Sequence, residues 1–172
     1  IRSMAPFIEN TSNLSSLTMT KNNLNAEGIE VLMSAFDRGP IADLYLWYCN
    51  IEDISILENC TFPRIQNLWL SNNNIGTHGC VTIANLLQKD ESCLRSLQLS
   101  SCDICDEGAE ILSNSLKRNN TLTSLYLTRN EITEKGSIAF LKLLNDISSV
   151  ENTYNSNHTL TNLRFGYKSH ID

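Results

Sequence analysis

The side chains in this 172-residue sequence that could bind metal, carry redox chemistry or move a proton are six cysteines, three histidines and nineteen acids. The tightest grouping is the C-x-x-C pair Cys102-Asp-Ile-Cys105. A zinc site would need a second pair at suitable spacing, and none exists. The context is also wrong for a thioredoxin-like redox pair. His78, His158 and His170 fall in different segments and compose no nucleophile, base and acid set. Asp103, Asp106 and Glu107 are acidic neighbours, but they read as loop and helix-cap residues. The expectation is a chain with no catalytic residue, no metal site and no cofactor.

The totals exclude other classes. A net charge of −6 and a pI near 5.0 argue against nucleic acid or anionic membrane as the main partner, since both select a basic face. No apolar run approaches the roughly 18 residues of a membrane-spanning helix. Ile1-Arg2-Ser3-Met4 shows no signal-peptide pattern. Asn-x-Ser/Thr triplets at Asn10, Asn13, Asn59, Asn119 and Asn157 carry little weight, because a composition this rich in Asn, Ser and Thr yields about four by chance.

The element that organises these residues is a repeat. Leu14-x-x-Leu17-x-Met19-x-x-Asn22-x-Leu24 opens a series. It recurs from Ile41 (Leu44, Leu46, Cys49, Ile51), from Ile65 (Leu68, Leu70, Asn73, Ile75), from Leu94 (Leu97, Leu99, Cys102, Ile104) and from Leu122 (Leu125, Leu127, Asn130, Ile132). A sixth unit begins at Leu160, Leu163 and Phe165. Start-to-start spacings are 27, 24, 29, 28 and 38 residues. Apolar residues two apart put one face of a short strand into a core. The Asn or Cys lies where the chain leaves that strand. An Asn there can satisfy turn backbone groups, stacked copies forming a ladder, and a small buried Cys can fill the same place.

The second half of each unit reads as helix. Gly28, Gly79, Gly108 and Gly136 each stand four residues after the closing apolar residue, a position suited to close approach of helix and strand. Asn25, Thr77, Asp106 and Thr133 are expected N-caps, with Glu27, Glu107 and Glu134 at the positive helix end. Ile29, Leu32, Met33 and Phe36, then Val81, Ile83, Ala84, Leu86 and Leu87, repeat at helical spacing. The second unit lacks the glycine and predicts only a turn or two, or a 3₁₀ segment. The polar stretch from Asp146 to His158 predicts a surface loop or an extended helix end.

This pattern resembles the leucine-rich repeats of the ribonuclease-inhibitor subfamily over about residues 14–165. Two features carry the resemblance: the full helix with its glycine, and the alternation Asn22, Cys49, Asn73, Cys102, Asn130. Even Met4, Phe7 and Ile8 align with Leu112, Ser115 and Leu116, as the tail of a preceding unit would. The resemblance implies an α/β solenoid, a horseshoe arc with parallel strands on the concave face and helices on the convex face. It also implies a module that binds other proteins. Residues 1–172 are expected to form one domain of about five full repeats with partial repeats at both ends, a segment of a longer chain. Cys49 and Cys102 on the buried ladder favour a reducing, cytoplasmic setting; Cys80 and Cys93 lie in or beside one helix as core; secretion with disulfides stays open.

The repeat frame names the outward columns of the sheet. Ser16, Asp43, Asn67, Ser96, Ser124 and Asn162 form one; Thr18, Tyr45, Trp69, Gln98, Tyr126 and Arg164 form the next. Thr20, Trp47, Ser71, Ser100, Thr128 and Gly166 follow, then Lys21, Tyr48, Asn72, Ser101, Arg129 and Tyr167. Both tryptophans and four of the five tyrosines fall in these columns. Trp, Tyr and Arg dominate interface hot spots. Tyr45, Trp47, Tyr48 and Trp69 are therefore the expected anchors for a protein partner, with Tyr126 and Arg129 as a second cluster. The competing reading is that the rings only stack on one another and cover the sheet. Two alternatives of other classes stand beside binding: a structural subunit of a large assembly, and a GTPase-activating protein of the Ran-activator type, whose functional motif matches no residue here.

Overall fold

The computed structural model describes residues 5–60, 63–154 and 156–167, with side chains at 150, 154 and 167 outside the description. Six short strands form a single open sheet in sequence order: β1 (Ser16–Thr18), β2 (Asp43–Tyr45), β3 (Asn67–Trp69), β4 (Ser96–Gln98), β5 (Ser124–Asn130) and β6 (Asn162–Tyr167). Every neighbouring pair is parallel. Between the strands run helices α2 (Ala26–Arg38), α3 (Gly76–Leu87), α4 (Asp106–Ser115) and α5 (Glu134–Leu144), with the short α1 (Ala5–Asn10) ahead of them and α6 (Val150–Tyr154) after. The result is a leucine-rich-repeat solenoid, strands lining its inner face and helices its outer one. Among the described residues no helix is long and apolar enough to cross a membrane.

The registers follow the repeat. Leu17, Leu44, Leu68, Leu97, Leu125 and Leu163 align across all six strands. Leu44, Leu46, Leu68, Leu70, Leu97, Leu99, Leu125 and Leu127 are buried against the helices, with Ile29, Leu32, Met33, Phe36, Ile83 and Leu112 facing them. Leu17 and Leu163, on the outermost strands, are half-buried, since each has a strand on one side only. In the second unit the helix shrinks to a 3₁₀ segment, Ser55–Asn59, as its missing glycine and short length predict.

The buried ladder is present where Asn follows Cys. Asn73 Oδ1 accepts from Cys49 N–H (2.9 Å) and Ile51 N–H (3.1 Å), and its Nδ2 donates to the carbonyls of Leu46 and Leu70 (both 2.8 Å). Asn130 repeats this for Cys102 N–H (2.9 Å), Ile104 N–H (3.1 Å), Leu99 O (2.7 Å) and Leu127 O (2.9 Å). The Cys49 and Cys102 thiols donate backwards in turn, to Met19 O (2.7 Å) and Leu70 O (3.3 Å).

Several expectations shift in detail. Asn25 caps α2 through Gly28 N–H (2.9 Å) and Thr133 caps α5 through Lys135 N–H (3.3 Å). Thr77 does not cap; it lies inside α3 with its hydroxyl 3.2 Å from Cys105 Sγ. Asp106 caps the following helix rather than its own: its carboxylate accepts from Thr133 N–H (2.7 Å), Thr133 Oγ1 (2.7 Å) and Gly136 N–H (3.0 Å). Gly79, Gly108 and Gly136 admit the closing isoleucine and a residue of the preceding unit, not the strand. A Cβ on Gly108 would stand 2.9 Å from Ile104 Cγ2 and 3.0 Å from Cys80 Sγ. Val81 faces outward, and Thr82 takes the buried place. Ile8 is fully buried as Leu116 is, whereas Phe7 is 61% exposed; Met4 lies outside the described residues. The stretch after Asp146 holds α6 and returns to the array through Asn157.

Candidate functional site

Register places Tyr45 beside Trp69 on adjacent strands, as the column frame requires. Their rings meet edge to face at 4.6 Å and 86°. Trp47 stands two residues beyond Tyr45, on the same side of the sheet. Its register neighbour is Ser71, whose small side chain leaves room for a diagonal contact. Trp47 uses it: the two indoles stack at 4.9 Å and 15°, and Tyr45 meets Trp47 at 6.0 Å and 73°. Both tryptophans of the chain and one tyrosine thus form one half-exposed cluster across β2 and β3. Desolvation, then the nearby Asp43 carboxylate, raises the Tyr45 pKa above its ordinary value.

The cluster is incompletely satisfied. Trp47 Nε1, Trp69 Nε1 and Thr20 Oγ1, the last in the same column as Trp47, are shielded from solvent with no hydrogen-bond partner. An unmade hydrogen bond on a buried donor costs about 1–3 kcal/mol. Mutual packing explains the stacking and leaves these donors unexplained.

Tyr48 stands apart from the stack. It is 54% exposed and lines a shallow crevice with Asn50, Asn72, Asn74, Ser101 and Asp103. Its backbone is left-handed (φ 54°), rare for a bulky residue. Lys21, Asn72, Ser101 and Arg129, at the same place in their repeats, share it (φ 54–59°), so the repeat imposes the conformation.

The second cluster forms around Tyr126 with a different cation from the expected one. Arg164, from the neighbouring strand, lies over the ring at 5.7 Å, and Asn162 Nδ2 donates to the phenol oxygen (2.9 Å). Arg129 is exposed in the left-handed turn. The outward columns contain Arg164 and Asn162, so register alone points to both; selecting residues by type passed over them. Tyr167 has no described side chain.

The six cysteines are free thiols. Burial raises the Cys49 thiol, and pushes Cys60 up to about 11 and Cys80 and Cys102 up to about 12. Cys93 is exposed in the turn before β4 instead of lying in the core. Cys105, half-buried at the start of α4, is lowered by the Thr77 hydroxyl and by the backbone N–H of Gly108. No group of His, Cys, Asp and Glu among the described residues is placed to hold a metal ion. His78 and His158 are exposed and belong to different repeats, and His170 lies outside the described residues.

The triplets at Asn119 and Asn157 turn out to be structural. Asn119 Nδ2 donates to Leu87 O (2.8 Å) while its Oδ1 accepts from Leu122 N–H (2.8 Å). Asn157, buried, donates to Leu116 O (2.6 Å) and accepts from Leu160 N–H (2.8 Å). They form a second asparagine ladder at the helix-to-strand turns. The legible signal is their shared place, three residues before Leu122 and Leu160. Two adjoining polar crevices of about 610 and 690 Å³ open nearby around Lys117, Arg118, Asn119 and Asn120. Both mix cations with Asp90 or Asp146.

Comparison with known proteins agrees with this architecture. Family models described as leucine-rich repeat match residues 64–86, 92–113 and 118–141. The chain is 26% identical over 144 residues to NACHT, LRR and PYD domains-containing protein 5 of Mus musculus, covering 78% of this chain and 12% of that protein. It is 31% identical over 140 residues to the Homo sapiens protein 14 of the same name, covering 76% and 12%. It is 27% identical over 137 residues to the Ribonuclease inhibitor of Mus musculus, covering 76% and 30%. The chain therefore spans less than a third of each relative. Among solved structures, Leiomodin-1 Actin-Binding Site 2 superposes with a TM-score of 0.59 at 17% identity, covering 96% of this chain and 79% of that one. That likeness is one of fold.

Proposed function

The chain is a leucine-rich-repeat protein of the ribonuclease-inhibitor-like kind, and from that premise we propose that it binds a protein partner on its inner face, with Tyr45, Trp47, Tyr48 and Trp69 as main anchors and Tyr126 and Arg129 as a second contact. The observation that carries the reading is the Tyr45–Trp47–Trp69 cluster on the open side of the sheet. These rings are half-exposed where every inward neighbour is buried, and two indole N–H groups in them lack acceptors. Rigid, half-exposed aromatic surface is what an interface anchor offers, each ring contributing about 2 kcal/mol or more at a hot spot. Among the similar proteins, one is named as an inhibitor of ribonuclease and one as an actin-binding segment. Both names record recognition of a protein. Buried, free thiols at Cys49, Cys60, Cys80 and Cys102 suit a reducing, intracellular compartment.

The test is affinity capture from source-cell lysate followed by mass spectrometry, with wild type beside Trp47→Ala/Trp69→Ala. A protein retained by the first and lost by the second, when both baits keep the same urea midpoint, supports the inner face. Identical captures move the site to the helices, edges or ends.

A further inference from the structure

We infer that the occupant of this face is an extended protein segment bearing one bulky apolar side chain and, about four residues away, a carboxylate. The inference rests on the protein-binding reading above and adds the chemistry of the occupant.

The first observation is where charge lies. The chain has 19 acids to 13 Lys and Arg, yet its four outward columns hold Lys21, Arg129 and Arg164 against Asp43 alone. The Asp43 carboxylate is already engaged by Asn67 Nδ2. Asp103 stands at the rim, beside Tyr48 and Asn72. The other described acids lie on helices and on the connections. An acidic protein has thus kept its sheet face free of net negative charge, which favours an approaching anion over a cation.

The second observation is Arg164. It is exposed, with its guanidinium carbon 5.7 Å from the centre of the Tyr126 ring, and among the described residues no carboxylate pairs with it. A guanidinium placed over an aromatic ring keeps N–H donors for a carboxylate, which it binds in a planar fork. The Trp47–Trp69 stack, by contrast, offers flat apolar surface. From Trp69 on β3 to Arg164 on β6 there are three strand spacings, about 14 Å. A chain crossing the strands in extended form covers that distance in about four residues. Three surface cations set against a chain charge of −6 are too few for nucleic acid, whose binding scales with neutralised phosphates.

A random short-peptide library displayed on phage, selected against the full chain, tests this. Wild type is expected to enrich peptides with Phe, Leu, Ile or Met and an Asp or Glu three to five positions away. Arg164→Glu should bind those peptides at least about tenfold more weakly and regain binding when the acid is replaced by Lys. Arg164→Gln, which keeps the stem, should show the loss without the rescue. Peptides that need the two tryptophans but lack the acid, or bind Arg164→Glu unchanged, overturn the occupant and leave the protein-binding reading standing. Peptides that ignore Trp47→Ala/Trp69→Ala, or no enrichment at all, overturn both.

Discussion

Asn73 holds the turn of the repeat before its own, accepting from the backbone N–H of both Cys49 and Ile51. Truncating it to alanine strands two buried donors and the carbonyls of Leu46 and Leu70. Since each buried unsatisfied group costs about 1–3 kcal/mol, partly relieved by relaxation, Asn73→Ala should destabilise by about 3 kcal/mol in urea titration. Asn22→Ala should change stability by less than about 0.5 kcal/mol, because the Asn22 side chain is exposed and donates to the nearby Thr20 O. Equal losses at the two sites would remove the ladder as a source of stability.

Thiol reactivity should divide the six cysteines. At pH 8 the native chain should label quickly with a thiol reagent at exposed Cys93 and at Cys105, whose lowered pKa supplies thiolate. Cys49, Cys60, Cys80 and Cys102, buried with raised pKa values, should label only on unfolding. Rapid labelling of Cys102 in folded protein would contradict the buried ladder.

The Asp106 carboxyl is held below its usual range, first by the Thr133 hydroxyl. Its folded pKa is depressed, so its contribution is complete above the unfolded carboxylate value and is lost as pH falls through the folded one. Asp106→Ala should therefore cost about 1 kcal/mol at pH 7, as loss of a helix cap does. The gap between wild type and variant should close on acidification. A gap unchanged at pH 2 would mean the carboxylate charge plays no part.

Gly136 is wedged between helices: an added Cβ would stand 2.5 Å from Asp106 Oδ1, 2.9 Å from Ile132 Cγ2 and 3.1 Å from Ala109 Cβ. Gly136→Ala should cost about 1–3 kcal/mol by overpacking, offsetting any gain in helix propensity. Gly166→Ala, with nothing within 4 Å, should be near neutral. Thermal melts of the two variants decide it.

Strand positions, register and the outward columns were legible because the repeat fixes the phase of every Leu-x-Leu pair. Tyr45 beside Trp69 follows from counting alone. What escaped depends on contacts between units, which one-dimensional phase does not carry. Asp106 looks like a cap for its own helix and serves the next, because helix packing sets its carboxylate over Thr133 and Gly136. Tyr126 takes Arg164, its register partner on the adjacent strand, whereas Arg129 stands three residues further along β5 at the left-handed irregularity between Thr128 and Asn130. The diagonal Trp47–Trp69 stack needed the small Ser71 as well as the two rings. Asn119 and Asn157 passed as chance triplets because their ladder occurs in only two turns.

The left-handed column has a consequence for how this surface can change. Lys21, Tyr48, Asn72, Ser101 and Arg129 adopt nearly the same φ although they range from cations to a phenol, an amide and a hydroxyl. The conformational penalty at each site is already met by the surrounding turn, whichever residue stands there. Exchanging residues among these five sites should leave the scaffold intact while rewriting the rim of the binding face. Selectivity can therefore drift, or be engineered, independently of foldability.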